Sequence, residues 1–204
     1  MIDIENLIRK NIKELIPYSS ARHEYSGDGA VLMDANESPY NQPFNRYPDP
    51  VQMALKERIS GIVSTPVERI FLGNGSDEAI DLLIRIFCEP AADRIIIIDP
   101  SYGMYKVCAD INNVAVDFVS LNKDFSLDAD RLLAAVRVET KMIFLCSPNN
   151  PSSNLLGQAE IARILFEFNG MVVLDEAYVD FCGSEGMLPV QGEYKNLIIL
   201  ISRI

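Results

Sequence analysis

Short apolar segments alternate with amphipathic segments along the chain from residue 69 onward. The apolar segments lie at 70–72, 95–98, 114–119, 142–146, 171–174 and 197–201. Between them, apolar residues recur at helical spacing near 76–88, 103–112, 128–136 and 158–167. Apolar strands that are separated by helices are typical of a parallel sheet with both faces covered. The pattern therefore predicts an α/β fold with a mainly parallel sheet of six strands and helices on both faces.

The first fifty residues follow a different pattern. Residues 3–15 have apolar positions at helical spacing, and Pro17 follows them. Residues 17–50 are rich in Pro, Asn, Tyr and Gly, which favours an ordered arm with little regular structure. We therefore expect an N-terminal helix and arm in residues 1–50 and an α/β domain in residues 51–204.

Composition narrows the class of protein. The formal net charge of -11 argues against a surface for nucleic acid or anionic lipid, because both require clustered Lys and Arg. No apolar run approaches the ~20 residues that span a bilayer, and no secretion signal opens the chain, so we expect a cytoplasmic protein. The four cysteines are scattered and His23 is the single histidine, which favours free thiols over a metal site.

Two of the predicted strands end in residues that suit a planar, phosphorylated ligand. In parallel sheets, ligands bind beyond the carboxyl ends of the strands. Residues 73–75 form a glycine-containing turn before a helix that Ser76 can cap, and the free backbone N–H groups at such a helix start suit a phosphate, although Asp77 could equally complement the helix dipole. Tyr102 follows the second strand, where its ring can stack on a flat group. An ordinary capped helix and simple loop packing are the alternatives for these two motifs.

Two later strands end in polar residues of a different kind. Asn150 lies in a turn with Pro148 and Pro151, which would give a stiff amide aimed at a ligand oxygen or simply a tight turn. Asp175 follows a buried strand, where a carboxylate needs a partner. A protonated pyridine nitrogen would be such a partner, and helix capping is the alternative.

In this order, the motifs resemble those of the fold-type I pyridoxal-phosphate enzymes, and most closely the histidinol-phosphate aminotransferases. The resemblance extends to about Leu200, and its most specific segments are 32–39, 45–50, 100–105, 147–151 and 175–178. It implies the large domain of that fold and the cofactor pyridoxal 5'-phosphate. The implied reaction belongs to histidine biosynthesis: L-histidinol phosphate and 2-oxoglutarate give imidazole-acetol phosphate and glutamate.

The resemblance also implies how the cofactor is bound. The backbone of Ser76 and Asp77 would hold the phosphate, and Tyr102 would stack on the pyridine ring. Asp175 would pair with the ring nitrogen, which keeps the ring an effective electron sink.

Other residues receive roles from the same resemblance. Asn150 and Tyr178 would hydrogen-bond to the 3'-oxygen of the cofactor. Tyr18 and Asn36 would lie at the substrate site, and Tyr47 would reach into the site of a second subunit. The resemblance therefore implies small-molecule substrates and a homodimer.

The sequence departs from the family near its last residues. The family has a Ser-Lys pair after the sixth strand, and that lysine binds the cofactor covalently and transfers the proton. Here residues 201–204 read Ile-Ser-Arg-Ile, so we expect no catalytic lysine, no small C-terminal domain and an inactive, truncated chain. Lys106 is not ruled out by distance as a replacement, but its side chain would have to be aimed at the cofactor.

Two alternatives stay open. One is an enzyme like threonine-phosphate decarboxylase, which has a similar arm and the same cofactor. The other is a non-catalytic remnant that binds the cofactor or a partner subunit. The family's last strand would lie between the first and sixth, so both are expected to expose an unpaired edge.

Overall fold

The computed structural model describes residues 3–19, 31, 33, 35–42 and 44–202, and His23 and the segment 20–30 lie outside the described residues. Contacts group the chain into two compact units. One unit comprises Met1–Lys13 with Gly73–Ile204, and the other is Glu14–Leu72. The sequence predicts a different boundary, at residue 50, between an N-terminal helix and arm and the α/β domain. That boundary stays a prediction.

The larger unit is built on a five-stranded parallel sheet with the strand order β2-β1-β3-β4-β5. The predicted α/β fold with a mainly parallel sheet is thereby confirmed. The strands are β1 Arg94–Asp99, β2 Ala115–Ser120, β3 Thr140–Cys146, β4 Met171–Asp175 and β5 Leu197–Leu200.

The first of the six expected strands is not formed, so the prediction for residues 70–72 was wrong. Ile70 has extended backbone angles, but no strand pairing includes it. Phe71 is 59% exposed. An extended segment becomes a strand only when a neighbour supplies ladder hydrogen bonds, and none of the five described strands pairs with these residues.

The described part of the chain contains six α-helices. They are α1 Lys10–Lys13, α2 Met53–Val63, α3 Ser76–Phe87, α4 Met104–Ile111, α5 Ala129–Ala134 and α6 Gln158–Glu167. Single turns of 3₁₀ helix lie at Ile4–Asn6, Val67–Arg69 and Val179–Phe181, and a longer one lies at Leu188–Glu193. The helices expected near 76–88, 103–112, 128–136 and 158–167 are all present.

Successive residues of a strand point to opposite faces of the sheet, so apolar strands give the sheet two apolar faces. Helices cover both of them. Ile95 and Ile97 pack with α3 and α4 on one side, which we call the α3–α4 face. Ile96 and Ile98 pack with α5 and α6 on the other, the α5–α6 face. All four isoleucines are at most 2% exposed, and burial of each such side chain contributes roughly 1.5–3 kcal/mol.

The N-terminal segment forms two short helical turns instead of the single helix that the spacing predicts. The backbone N–H of Arg9 donates to the carbonyl of Ile86 at 3.0 Å, so it is not available to an unbroken helix. The Arg9 guanidinium also donates to Glu89 at 2.9 Å. Ile4 packs with the core of the α3–α4 face, so the predicted apolar side of this segment is used.

The smaller unit contains α2 and an irregular segment before it. Gln52 holds the N-cap position of α2, and the side chain of Asp49 accepts from the backbone N–H of Met53, the first residue of the helix, at 2.8 Å. Glu37 organises the preceding segment by accepting from the Tyr47 backbone N–H and from Arg46, both at 2.7 Å.

The cysteines are free thiols: Cys88, Cys108 and Cys146 are buried and Cys182 is exposed. Among the described residues, no cluster of three or more His, Cys, Asp or Glu side chains could hold a metal ion. Within the same residues, no helix has both the length and the apolar character needed to cross a membrane.

Candidate active site

Two buried strands, β3 and β4, end side by side at the carboxyl edge of the sheet. Cys146 at the end of β3 is in register with Asp175 at the end of β4, which is in turn opposite Leu200 in β5. The loops that follow β1, β3 and β4 therefore meet at one edge, where the sequence predicts a ligand site.

Asp175 is a buried carboxylate on the α3–α4 face, with 3% of its surface exposed. Its Oδ2 atom accepts from the phenol hydroxyl of Tyr105 at 2.7 Å, and its Oδ1 atom accepts from the backbone N–H of Ala177 at 3.1 Å. Burial raises the pKa of Asp175, and the two hydrogen bonds offset that rise in part. Among the described residues, no cationic side chain contributes to the pKa of Asp175, the residue for which the sequence predicts a ligand as partner.

Sequence reasoning gave no role to Tyr105, which is fully buried in α4. Its ring stacks on Phe144 with a centroid distance of 5.0 Å and meets Tyr102 edge-on at 5.6 Å. Burial and the nearby Asp175 carboxylate raise the pKa of Tyr105, so the phenol stays protonated and donates. A buried tyrosine usually finds a hydrogen-bond partner, but the local sequence gave no signal for one that lies 70 residues away.

Tyr102 follows β1, and its side chain contacts the first turn of α3. Its hydroxyl donates to Oδ1 of Asp77 at 3.1 Å. Partial burial, together with this hydrogen bond to a carboxylate, raises the pKa of Tyr102. Tyr102, Tyr105 and Asp175 therefore form a continuous set of contacts that reaches the first turn of α3.

The first turn of α3 is open to a ligand. Gly75 occupies the position before the helix with φ 79°, and a Cβ atom added there would have no neighbouring atom within 4 Å. The expectation that Ser76 caps the helix was wrong, because Ser76 is its first residue and Gly75 holds the cap position. The first N–H groups of a helix have no intrahelical acceptor, so those of Ser76 and Asp77 are candidate donors to a ligand.

The turn after β3 contains two asparagines with different surroundings. Asn149, which sequence reasoning missed, is 2% exposed and donates to the Pro100 carbonyl at 3.0 Å and to Ser152 at 2.6 Å. It ties the loops after β1 and β3 together. Asn150, the residue that the sequence predicts for the site, is half-buried at the same turn.

Tyr178 lies three residues beyond Asp175, at the start of the 3₁₀ turn Val179–Phe181, and is 48% exposed. Burial and Asp77 are the main causes of the raised pKa of Tyr102, and Asp175 and Tyr178 are close enough to add to them, so the three side chains share one region. The larger unit therefore brings Ser76, Asp77, Tyr102, Asn150, Asp175 and Tyr178 to one edge of the sheet.

The remaining residues that the sequence predicts for a site belong to the smaller unit. Tyr18 and Tyr47 are 93% and 68% exposed, and Asn36 is also exposed. Lys106, considered as a replacement lysine, lies on α4 and forms an ion pair with Asp110 one turn later.

Glu176, which received no role from the sequence, lies on the α5–α6 side of the same edge. It is 2% exposed, and its Oε1 atom accepts from the backbone N–H of Met187 at 2.8 Å. A cavity of about 130 Å³ adjoins it and is also lined by Ser147, Ser184 and Gln158. Burial raises the pKa of Glu176 to about 7.

Comparison with known proteins identifies the family. Residues 24–202 match the model of the family described as aminotransferase class I and II. The chain belongs to this family. It is 56% identical over 201 residues to the histidinol-phosphate aminotransferase of Bacteroides fragilis, and 52% identical over 200 residues to that of Parabacteroides distasonis. In both comparisons 98% of this chain is covered, and the chain spans 58% of the relative's length.

Solved structures agree on the fold. The histidinol-phosphate aminotransferase from Clostridium acetobutylicum superposes with a TM-score of 0.66 at 26% identity, covering 77% of this chain and 46% of that one. The L-threonine-O-3-phosphate decarboxylase from Porphyromonas gingivalis gives a TM-score of 0.63 at 27% identity, covering 77% and 48%. The Sinorhizobium meliloti enzyme in complex with pyridoxal-5'-phosphate gives 0.69 at 22% identity, covering 77% and 44%, and supports the fold alone. The chain thus has the fold of pyridoxal-phosphate-dependent aminotransferases.

Proposed function

We propose that this chain forms the cofactor-binding part of a histidinol-phosphate aminotransferase of histidine biosynthesis. Relatives of that name at 52–56% identity support the assignment. The observation that carries it is the carboxylate of Asp175, which is 3% exposed and has no cationic side chain among its charged neighbours in the described residues. A buried carboxylate at the edge of a parallel sheet suits a ligand that carries an N–H donor and a positive charge.

Pyridoxal 5'-phosphate fits the groups that this edge presents. The first N–H groups of α3 at Ser76 and Asp77 would hold its phosphate, which the net charge of -11 would otherwise disfavour. Tyr102 would stack on the pyridine ring, and Asp175 would accept a hydrogen bond from its protonated nitrogen. When bound, the cofactor supplies a conjugated ring that withdraws electrons from the substrate carbon.

Asn150 and Tyr178 would complete the cofactor contacts at the 3'-oxygen. Both are only partly buried, so their amide and phenol groups are accessible. Tyr18, Asn36 and Tyr47 are exposed, which is compatible with roles toward a substrate or a second subunit. The proposal includes a homodimer to which Tyr47 contributes, and a cytoplasmic location.

The reaction proposed for the whole protein transfers an amino group from L-histidinol phosphate to 2-oxoglutarate, and gives imidazole-acetol phosphate and glutamate. The 204 residues by themselves lack a lysine after β5, where the chain reads Ile-Ser-Arg-Ile. We therefore expect them to bind the cofactor noncovalently and to catalyse no transamination alone.

A second candidate is a decarboxylase of threonine phosphate. The structural similarity to the Porphyromonas gingivalis decarboxylase, at 27% identity and a TM-score of 0.63, supports it. Asp175 and the first turn of α3 would serve either reaction, because both require the same cofactor contacts.

Two experiments test these proposals. Equilibrium dialysis with pyridoxal 5'-phosphate should show binding to the purified chain that Asp175→Asn weakens and Asp124→Asn, at an exposed loop, leaves unchanged. A chimera in which the Bacteroides fragilis sequence follows Leu200 should then form glutamate from L-histidinol phosphate and 2-oxoglutarate. Decarboxylation of O-phospho-L-threonine by the chimera, without glutamate formation, would favour the second candidate instead.

A further inference from the structure

Tyr105 is a buried residue that contacts two residues of the candidate cofactor site, Asp175 and Tyr102. It is fully buried, whereas Tyr102, three residues before it, is half-buried at the edge of the site. Its hydroxyl is 2.7 Å from Oδ2 of Asp175. The ring packs between Phe144, at 5.0 Å, and Tyr102, at 5.6 Å, which fixes the direction in which the hydroxyl points.

These contacts restrict both oxygens of Asp175. Oδ2 is bound by the Tyr105 phenol and Oδ1 by the backbone N–H of Ala177 at 3.1 Å. A carboxylate bound at both oxygens cannot rotate, and each oxygen keeps a lone pair for one more donor. Because both bonds come from donors, they favour the ionised form over the protonated one.

The same residue also positions the ring expected to stack on the cofactor. Tyr102 rests edge-on against Tyr105 with an interplanar angle of 83°, and its hydroxyl is bound to Asp77 at 3.1 Å. Asp175, the expected partner of the ring nitrogen, and Tyr102, the expected stacking ring, are therefore both positioned by the buried side chain of Tyr105.

We infer that Tyr105 is a positioning residue of the cofactor site, which aims the Asp175 carboxylate and keeps it ionised for a protonated pyridine nitrogen. This inference rests on the proposed function, because the assigned partner is the cofactor. Tyr105 itself touches no cofactor atom and acts through Asp175 and Tyr102.

The test separates ionisation from general loss of structure. Asp175 is titrated in the cofactor-free chain by ¹³C NMR of labelled aspartate carboxyls, with Asp175→Asn used to assign the signal. Tyr105→Phe removes one hydrogen bond to a charged group, so the pKa of Asp175 should rise by about one unit. Tyr194→Phe, on a half-buried tyrosine of the α5–α6 face, is the matched control and should leave that titration unchanged.

Binding of pyridoxal 5'-phosphate gives a second readout across pH. If affinity follows the ionised fraction of Asp175, Tyr105→Phe should bind about tenfold more weakly than the parent chain below the Asp175 pKa, with the gap closing above it. The ratio of the two affinities cancels the cofactor's own titration. An affinity loss of equal size at every pH would overturn the inference, as would an unchanged Asp175 titration.

A further variant covers the case in which Tyr105→Phe does not fold. Replacing Tyr105 by 3-fluorotyrosine keeps the ring and makes the phenol a stronger donor, so the pKa of Asp175 should fall below that of the parent chain. A rise or no change would contradict the inference. Failure of the parent chain to bind the cofactor would refute the proposed function, while the carboxyl titration would still decide the role of Tyr105.

Discussion

The buried carboxylate of Glu176 accepts a hydrogen bond from the backbone N–H of Met187 at 2.8 Å and lies against Gly186. A Cβ atom at Gly186 would be 2.4 Å from Oε1 of Glu176, so only glycine permits this approach. Gln158 adds a hydrogen bond to the Gly186 carbonyl at 3.3 Å. Glu176 therefore anchors the turn that leads from the Tyr178 loop back to β5.

The anchor should make stability depend on pH. The pKa of Glu176 rises from 4.5 to about 7 because burial disfavours its charge. An acid whose pKa is raised on folding contributes stability below its unfolded pKa, and that stability is lost as pH rises through the folded pKa. Glu176→Gln should therefore match the parent chain at pH 5 and exceed it at pH 8 by roughly 2–3 kcal/mol. Urea unfolding at both pH values measures this.

The control for this prediction lies in the same loop. Glu185 is exposed, so Glu185→Gln should change stability equally little at pH 5 and pH 8. A stability difference between Glu176→Gln and the parent chain that stays constant from pH 5 to pH 8 would contradict the raised pKa.

Gly186 and Gly183 offer a matched pair for the contact itself. Both have positive φ, at 62° and 67°, but a Cβ at Gly183 would meet nothing within 4 Å. Gly183→Ala should cost about 1–2 kcal/mol for the left-handed backbone alone. Gly186→Ala should cost more by about 1–3 kcal/mol, because it also displaces the Glu176 carboxylate. Equal costs in thermal or urea unfolding would show that the contact with Glu176 adds nothing.

The adjacent asparagines should separate folding from binding. Asn149→Ala removes the hydrogen bonds of a buried amide to the Pro100 carbonyl and to the Ser152 and Ser101 hydroxyls, so it should destabilise the chain by about 2–3 kcal/mol. Asn150→Ala should change stability by less than about 0.5 kcal/mol, as a substitution at a less buried site does. It should nevertheless weaken binding of pyridoxal 5'-phosphate. A large loss of stability in Asn150→Ala would reverse this assignment of roles.

The sequence predicts those features of the fold that are caused by neighbouring residues in the chain. Five strands are predictable because their apolar runs are the reason that they are buried. Asp175 is predictable because a carboxylate directly after such a run is unusual. Residues 70–72 have a similar apolar character, but a strand also needs a neighbour, which local sequence does not specify.

The contacts within the site depended on information that spacing does not contain. Tyr105 has the helical spacing of any core residue, and its partner Asp175 is 70 residues away in the chain. Asn149 and Asn150 are adjacent and chemically identical, so only the fold shows that Asn149 is the buried one. Residue types thus predict which functional groups lie at this edge of the sheet. They do not predict that Tyr105 and Asn149 hold neighbouring groups in place.

The last prediction concerns activity of the 204 residues alone. Aminotransfer requires a positioned group that moves a proton, and loss of such a group typically costs ~10²–10⁴-fold in rate. Lys106 is the nearest candidate in sequence to Tyr102, but it is exposed on α4 and paired with Asp110, so it is not aimed at the site. Purified chain with pyridoxal 5'-phosphate, L-histidinol phosphate and 2-oxoglutarate should form glutamate no faster than the cofactor-only blank. Borohydride should not fix the cofactor at one specific lysine, and Lys106→Arg should change neither result. Glutamate formation above the blank that Lys106→Arg abolishes would show that this lysine serves the reaction after all.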